Sequence, residues 1–304
     1  MAQALPPATR LRLNQALQQW PQWHTAALQG SPKLIRPLGQ GLSNHSFLVE
    51  AGSAQFVLRL SGAATVSHGL HRLAEWQAMT HAHAAGLAPA PRFLDEQQGV
   101  LVCDYVPPDA QQQASPAAVG ALMRRIHALP PIAETLDIGE RCAAAEHALA
   151  NATPQIARQL RPLVDSAAPL IKQLIDRLEP GTASALCHND LLQSNRIMST
   201  HKLWAIDWEY AAMGPVWFDL AATCAGDELN NDGRDDLLMS YLQRPATASD
   251  QEQLGSFECI YRYLEWLWHV TTNTEPAAAP LTLKLARLQG CLASSTRLHG
   301  TGSL

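Results

Sequence analysis

The feature of this sequence that most constrains its fold is a change of hydrophobic period along the chain. Segments 33–38, 45–50 and 55–60 are short, alternating or rich in strand-forming residues, and turn residues separate them. Beyond residue 118 the apolar spacing is mainly that of helices, apart from the region 184–210. Strands that are segregated from helices predict an α+β chain of two lobes with a cleft between them.

Two helices and two further strands complete the prediction for the first part of the chain. The apolar spacing of residues 10–29 suits an opening helix, and residues 71–85 suit a second helix that Gly86 ends. Strand-like runs come next, at 92–94 and 100–106. These patterns predict a small antiparallel sheet accompanied by one helix.

A segment rich in Pro, Gln and Ala, residues 107–118, is the predicted connector between the lobes. On this division residues 1–106 form an N-terminal lobe that includes the opening helix. Residues 119–304 form a mainly helical C-terminal lobe, which carries the polar region 184–210.

Composition and charge exclude several classes of protein. Of the 304 residues 47% are hydrophobic, which is ample for a core and excludes global disorder. Only 16% of the residues are charged and the formal net charge is −5, so the chain has no general electrostatic footprint for nucleic acid.

The cysteine pattern and the apolar runs predict the cellular compartment of the protein. The sequence has no CxxC pair, no His–Cys cluster at metal-ligand spacing, no signal-peptide pattern at its start and no uncharged apolar run of about 18 residues. We therefore expect a cytoplasmic protein that does not bind membranes. The sequence does not indicate its oligomeric state. Its six cysteines, expected to be buried thiols in a reducing compartment, are Cys103, Cys142, Cys187, Cys224, Cys259 and Cys291.

The region 186–209, LCHNDLLQSNRIMSTHKLWAIDWE, places two acids and an amide on adjacent turns around a strand-like run. Phosphoryl transfer requires a carboxylate that orients and deprotonates the attacking hydroxyl, together with oxygen ligands that hold Mg²⁺ on the phosphates. Asp190, Asn195 and Asp207 supply that set. A capping or turn role is the alternative for each acid taken alone.

The spacing H-x-D-x-x-x-x-N, with a strand that ends in Asp a dozen residues later, resembles a known family pattern. It is similar to the catalytic and metal-binding loops of the aminoglycoside phosphotransferase and choline kinase superfamily, distant relatives of the protein kinases. More narrowly, CHNDLLQSN and IDWEYA resemble the choline/ethanolamine kinase and thiamine kinase-like branches. The resemblance implies a two-lobed protein-kinase-like fold with ATP and Mg²⁺ bound between the lobes.

The resemblance also implies roles for single residues. Asp190 would be the catalytic base, and His188 would brace the loop around it. Asn195 and Asp207 would be the Mg²⁺ ligands. Asp219, in the element WFDLA, would support the catalytic loop.

The first lobe should supply the groups that bind the nucleotide. The turn 39–44, GQGLSN, lies between two strand candidates, where glycines and small polar residues let backbone N–H groups approach phosphate. A simple hairpin turn is the alternative. Similarity to the G-G-[LT]-[ST]-N turn of choline kinase-like proteins favours the phosphate-binding role, whose residues would be Gly39, Gly41, Ser43 and Asn44.

Position in the family pattern indicates further nucleotide-binding residues. Arg59 lies in a strand where protein kinases have lysine, and its guanidinium can bind phosphate oxygens at two points. Glu75 would be the helix-borne partner of this cation. The run that includes Asp104, Tyr105 and Val106 resembles the hinge that presents backbone groups to adenine.

The sequence defines the binding site of the phosphate acceptor less sharply than that of the nucleotide. Residues 257–273 have apolar groups on two helical faces, so this aromatic helix is either deeply buried or lines a pocket. Aromatic faces attract a quaternary ammonium or thiazolium group, and acidic residues add negative potential. The candidates, for which core packing or solvated charge is the alternative, are Tyr261, Tyr263, Trp266, Trp268, Glu209, Asp227 and Glu228.

We therefore predict a phosphotransferase that uses ATP and Mg²⁺ to phosphorylate a hydroxyl of a small molecule of the choline, ethanolamine or thiamine type. An aminoglycoside or sugar kinase of the same superfamily is the alternative within enzymes. A pseudokinase that binds nucleotide without turnover is the alternative of another class, and the presence of base and metal ligands together argues against it.

Overall fold

The computed structural model divides by its internal contacts into two compact units. Unit 1 consists of Met1–Gln113 and Arg196–Ala211, and unit 2 consists of Ala114–Asn195 and Ala212–Leu304. The division falls inside the segment 107–118, and unit 1 also takes in a segment that lies far along the sequence. The structure describes residues 5–25, 28, 30–40, 44–62, 71–109, 113–151, 154–177, 183–272 and 279–300.

The opening helix of unit 1 is shorter than the sequence predicts. Helix α1 spans Pro7–Gln18, and Trp20–Gln22 form a separate 3₁₀ turn. The predicted extent, 10–29, is therefore wrong. Pro21 explains the early end, because proline has no N–H for the helical hydrogen bond and disfavours helical backbone in the residue before it.

A five-stranded antiparallel sheet forms the main layer of unit 1. Its strands are β1 (Lys33–Gln40), β2 (Asn44–Ala51), β3 (Ala54–Ser61), β4 (Pro91–Asp95) and β5 (Val100–Asp104). Their order in the sheet is β1-β2-β3-β5-β4. The strands match the predicted segments because alternating side chains mark a strand with one buried face.

One face of this sheet forms the core of unit 1 together with α1. Phe47, Phe56 and Leu58 from the sheet pack with Leu13 and other residues of the N-terminal segment. Since neighbouring side chains on a strand point to opposite faces, a residue between two core positions of β3 projects from the other face. That alternation decides where Arg59, between Leu58 and Leu60, projects.

A helix and a hairpin complete unit 1. Helix α2 spans Arg72–Ala84 and ends before Gly86, whose φ of 69° is the left-handed conformation that suits glycine. The predicted second helix is thus confirmed. A hairpin from far along the sequence, formed by β7 (Arg196–Ser199) and β8 (Lys202–Ala205), also belongs to unit 1.

Unit 2 is mainly helical. Its helices are α3 (Pro116–Ile126), α4 (Ile138–Ala150), α5 (Pro154–Arg177), α6 (Val216–Gly226), α7 (Asn231–Leu242), α8 (Ala248–Thr272) and α9 (Ala279–Gly300), and β6 (Ser184–Cys187) pairs with β9 (Ala212–Pro215). Helix α6 is buried along nearly its whole length and packs on α8. The predicted α+β class, an antiparallel sheet followed by a helical half, is confirmed.

Glycine is required where α3 crosses α7. A Cβ atom on Gly120 would lie 2.3 Å from the backbone oxygen of Leu237. Real Cβ contacts are longer, so any side chain here would push the two helices apart. This close approach brings the C-terminal end of α3 near Tyr241 on α7, where the ring of His127 meets it.

One expectation about the cysteines is wrong. Cys259 on α8 and Cys291 on α9 form a disulfide, with Cα atoms 5.6 Å apart. The free thiols are Cys103, Cys142, Cys187 and Cys224. Within the described residues, the structure contains no helix that is both long and apolar enough to cross a bilayer.

Candidate active site

Asp190 and Asn195 lie side by side in the loop between β6 and β7. The amide nitrogen of Asn195 donates to the Asp190 carboxylate at 2.7 Å and to the Asp190 carbonyl oxygen at 2.8 Å. The 3₁₀ turn Gln193–Asn195 brings the chain back so that residues five apart can meet. Because the amide nitrogen is committed to Asp190, the amide oxygen is the atom with which Asn195 could bind a metal ion.

Asp219 holds the start of this loop. Its carboxylate accepts the backbone N–H of His188 at 2.9 Å and that of Asn189 at 2.8 Å, and it lies 3.0 Å from Nε2 of His127. Burial opposes its charge, but the hydrogen bond from His127 and the nearby positive and N–H groups bring the pKa of Asp219 below its ordinary value. Asp219 is therefore an ionised acceptor for three donors.

The backbone at Asn189 is left-handed. Its φ is 62°, a conformation that asparagine adopts more readily than most residues with a side chain. The N–H of Asn189 and that of the buried His188 both bond to Asp219, which holds this turn in place. Asp190 is the next residue, so the direction of its carboxylate depends on this turn.

Two further side chains fasten the 188–195 loop within unit 2. The hydroxyl of Thr223 donates to the carbonyl oxygen of Leu191 at 3.0 Å. The carboxylate of Asp227, predicted on the acceptor side, accepts the backbone N–H of Gln193 at 2.8 Å. The structure thus places Asp227 at the loop itself.

Unit 1 carries a cluster of charged side chains around Arg59. One guanidinium nitrogen of Arg59 donates to Glu75 and the other to Asp207, each at 2.5 Å. Arg72, one helical turn before Glu75, donates to the same carboxylate at 2.7 Å. Glu75 is 1% exposed, whereas 34% of the Asp207 side chain reaches solvent. Asp207 comes shortly after β8 and has a left-handed φ of 62°.

Glu209 joins this cluster to the end of the glycine-containing turn. It accepts a hydrogen bond from Asn44 at 2.8 Å and lies 3.5 Å from Arg72. Gly39 is part of β1, opposite Ser46 of β2. The predicted phosphate-binding residues Gly41 and Ser43 lie outside the described residues.

The cluster contains three carboxylates and two guanidinium groups. Burial, together with the neighbouring acids, raises the pKa of Asp207 and that of Glu209 in spite of Arg59. Burial alone would also raise the pKa of Glu75, but Arg59 and Arg72 bring it below its ordinary value. Among the described residues the cluster has one more carboxylate than guanidinium groups, so the charges of Asp207 and Glu209 are only partly compensated.

The predicted hinge is largely hydrogen-bonded within unit 1. Arg92 binds the carboxylate of Asp104 at 2.7 and 2.6 Å, and the backbone N–H of Asp104 donates to Ala90. The N–H of Tyr105 donates to Gln55, and Val106 lies just beyond the last strand of the sheet. Beside the hinge lies a cavity of about 370 Å³ lined by Thr25, Leu28, Ala54, Gln55, Phe56, Arg92, Asp104 and Tyr105.

The aromatic candidates on α8 separate into two groups. Tyr263 is fully buried and its hydroxyl donates to Glu146 at 2.8 Å, and Trp266 is 2% exposed. Both lie in the core of unit 2. Trp268 is half-buried and its ring packs edge-on against His269.

Tyr261 lies in an acidic environment. Burial, and after it the charges of Glu265, Asp190 and Asp227, raises the pKa of its hydroxyl well above the ordinary value. Its ring packs edge-on against Phe218, with centroids 6.2 Å apart. Tyr261 is therefore the aromatic candidate that the structure associates with Asp190.

Sequence reasoning missed His127, Tyr241 and Arg72. Arg72 had a local signal, because it lies three residues before Glu75 on the predicted helix and such residues are neighbours. His127 and Tyr241 had no local signal. His127 is 92 residues away from its partner Asp219, and Tyr241 is 114 residues away from its partner His127.

The chain is similar to known proteins. A family described as "Phosphotransferase enzyme family" matches residues 34–257, more than half of the chain. The crystal structure of choline kinase LicA from Streptococcus pneumoniae is similar with a TM-score of 0.72 at 18% identity, covering 94% of this chain and 99% of that one. The predicted family resemblance and the kinase-like fold are confirmed.

Two curated relatives match shorter stretches. A Protein LicA homolog from Mycoplasma capricolum is 29% identical over 114 residues, which is 38% of this chain and 44% of the relative. Protein LicA from Haemophilus influenzae is 24% identical over 211 residues, which is 66% of this chain and 60% of the relative. The chain thus spans about half of the length of the curated relatives it matches.

Proposed function

The chain belongs to the phosphotransferase enzyme family, and from that premise we propose that it is an ATP- and Mg²⁺-dependent kinase of a small cationic alcohol. The acceptor class is that of choline, ethanolamine or thiamine. The observation that carries the proposal is the Asp190 carboxylate, held against Asn195 by a 2.7 Å hydrogen bond in a loop that Asp219 clamps. A fixed carboxylate of this kind can orient a hydroxyl and accept its proton.

The residues of unit 1 suit a nucleotide with its metal ion. Nε of Arg59 and Nη2 of Arg72 are buried donors that have no acceptor within the described part of the chain, and phosphate oxygens are acceptors of the right kind. Asp207 is bonded to Arg59 while 34% of its side chain reaches solvent, and since burial raises its pKa, a bound cation would stabilise its ionised form. Both observations support ATP and Mg²⁺ as the missing partners.

The chain's own residues have separate roles in the proposed reaction. Asp190 accepts the proton of the acceptor hydroxyl and directs its oxygen, and His188 braces the loop. Asn195 and Asp207 are the proposed oxygen ligands of Mg²⁺, and Arg59, oriented by Glu75, binds phosphate. Bound Mg²⁺–ATP supplies the phosphoryl group and neutralises the charge that develops on it.

The surroundings of Tyr261 support a cationic acceptor. The ring is flanked by Phe218, and Asp190, Asp227 and Glu265 all act on its hydroxyl. An aromatic face together with carboxylates attracts a quaternary or primary ammonium group. The similarity to a structure named choline kinase supports the same acceptor class.

The test is Mg²⁺-dependent ATP consumption with a panel of acceptors. The panel contains choline, ethanolamine, thiamine, amino sugars and kanamycin, and D190N serves as the inactive control. Turnover with choline, ethanolamine or thiamine supports the proposal. Turnover with kanamycin or a sugar alone would overturn the acceptor class, and no turnover despite thermal stabilisation by Mg²⁺–ATP would favour a non-catalytic nucleotide-binding protein.

A further inference from the structure

A partly buried series of hydrogen bonds leads to the loop that carries Asp190. The hydroxyl of Tyr241, on α7, lies 2.8 Å from Nδ1 of His127, at the end of α3. Nε2 of the same ring lies 3.0 Å from the carboxylate of Asp219, on α6. Asp219 accepts the N–H groups of His188 and Asn189. Three helices of unit 2 are thereby connected to the 188–195 loop.

The chemistry of Asp219 sets the direction of these hydrogen bonds. An ionised carboxylate can only accept hydrogen bonds. Nε2 of His127 must therefore carry a hydrogen and donate a hydrogen bond to Asp219. In a neutral ring Nδ1 is then the acceptor, and the hydroxyl of Tyr241 is the donor. Tyr241 thus determines which way the ring faces, because its hydroxyl and its edge-on ring contact both engage the imidazole.

A competing interpretation of this cluster is a metal site, because His127, Cys187 and Asp219 place ligand atoms within 4.8 Å of one another. The thiol of Cys187 instead donates to the carbonyl oxygen of Gly214 at 3.5 Å. Burial, and after it the charge of Asp219, raises the pKa of Cys187 well above its ordinary value. Metal ions bind the thiolate form, so a metal ion here would have to displace the thiol proton together with its hydrogen bond to Gly214.

The position of Asp219 matters because one of its two backbone donors, Asn189, immediately precedes Asp190. Asn189 holds a left-handed backbone. If the Asp219 carboxylate turned, it would release the N–H of Asn189, and the left-handed turn would lose the hydrogen bond that holds it. The carboxylate of Asp190 would then lose its direction while the nucleotide-binding residues of unit 1 stayed as they are.

We propose that His127 and Tyr241 are positioning residues for phosphoryl transfer, which orient Asp219 so that it fixes the loop backbone and thereby directs the Asp190 carboxylate at the acceptor hydroxyl. The inference rests on the proposed function. Neither side chain touches nucleotide or acceptor, so their loss lowers kcat and leaves the KM for ATP unchanged.

The kinetic test compares Y241F, H127L and H127Q, using the panel acceptor that gives the highest turnover. H127L removes the donor to Asp219, and we expect kcat to fall about tenfold, the rate equivalent of one lost hydrogen bond. Y241F keeps the ring contact and loses only the hydroxyl, so kcat falls less. H127Q retains an N–H near the position of Nε2 and recovers most of kcat.

A control variant separates positioning from general stability. R234Q removes the 2.9 Å ion pair between Arg234 on α7 and the buried Glu258, which takes no part in the hydrogen bonds that lead from Tyr241 to the 188–195 loop. It should lower the Tm as much as H127L does and keep the native kcat. Assays are run well below the lowest Tm, so that all variants are folded. If R234Q loses as much kcat as H127L, or if H127Q recovers none, the positioning role is overturned.

A spectroscopic test does not depend on turnover. Nitrogen-15 spectra of histidine-labelled protein should show His127 with Nε2 protonated and Nδ1 as acceptor, and Y241F should shift the Nδ1 signal. A ring whose Nδ1 is protonated, whether neutral or charged, would overturn the proposed direction of the hydrogen bonds. If the native protein turns over no acceptor, the proposed function fails, whereas native turnover with unchanged kcat in H127L and Y241F refutes this inference alone.

Discussion

The side chain of Asn195 donates twice to Asp190, at 2.7 Å to the carboxylate and at 2.8 Å to the carbonyl oxygen of the same residue. The two hydrogen bonds set the position of the carboxylate relative to the amide oxygen. The carboxylate is thus held by contacts within the loop itself, which limits the reorganisation required at the moment of reaction.

The first prediction concerns Asp190. D190N keeps the shape of the side chain but cannot accept a proton, so we expect kcat to fall by about a hundredfold or more, the range of general-base contributions. Nucleotide binding, measured by calorimetry with Mg²⁺–ATP, should be nearly unchanged. D176N, an exposed substitution of the same kind on α5, is the control and should keep native kcat. Substantial turnover by D190N would contradict the assigned base.

The second prediction concerns Arg59. A lysine has one charged nitrogen and cannot bridge Glu75 and Asp207 as the guanidinium does at 2.5 Å to each. R59K should therefore raise the KM for ATP about tenfold, the equivalent of one charge-assisted hydrogen bond. R36K, on the exposed part of β1, should leave it unchanged. Equal KM values for the two variants would remove Arg59 from the phosphate site.

The third prediction concerns pH and Asp207. Its pKa is raised in the folded protein, so the ionised form is less favourable there than in the unfolded chain. This penalty is absent below the unfolded pKa, grows as pH rises towards the folded pKa, and is fully present above the folded pKa. D207N should therefore raise the Tm above the folded pKa while abolishing Mg²⁺-dependent turnover, and the gain in Tm should vanish below the unfolded pKa. A Tm that D207N lowers at every pH would contradict the charge imbalance.

The fourth prediction concerns the disulfide between α8 and α9. Cys259 and Cys291 are separated by 32 residues, and a cross-link of that length stabilises by about 3–4 kcal/mol in the chain-entropy account. C291S should lower the free energy of unfolding in urea by that amount. The native protein in a reducing buffer should match C291S. Equal stability of oxidised and reduced native protein would show that the cross-link is not formed in solution.

The strands of the sheet and helix α2 could be predicted from local patterns. Phe56, Val57 and Leu58 are residues that favour strands, and the helix before Gly86 has its end signal. The predicted extent of α1 is wrong because the apolar spacing continues past Pro21, where the backbone cannot continue the helix. Hydrophobic periodicity indicates which face of a helix is apolar. It does not indicate where the hydrogen bonds of the helix end.

The aromatic helix shows a different limit. The sequence leaves open whether Tyr263 and Trp266 are core or pocket residues, and the structure places both in the core. Their surroundings come from α4 and other elements far along the chain, as the hydrogen bond from Tyr263 to Glu146, 117 residues away, shows. Burial depends on such partners, which local spacing does not contain.

By itself the sequence determined the class of the chain: an antiparallel sheet before a helical half, and a loop in which Asp190 and Asn195 stand five residues apart. Those properties depend on residues that are close in sequence. The hydrophobic period and the spacing of the motif residues therefore predict them. Only the tertiary structure decided which distant groups meet, among them His127 with Asp219, Asn44 with Glu209, and Cys259 with Cys291. The reason is that these contacts are set by how the elements pack, and a buried polar group must find its partner wherever packing brings one.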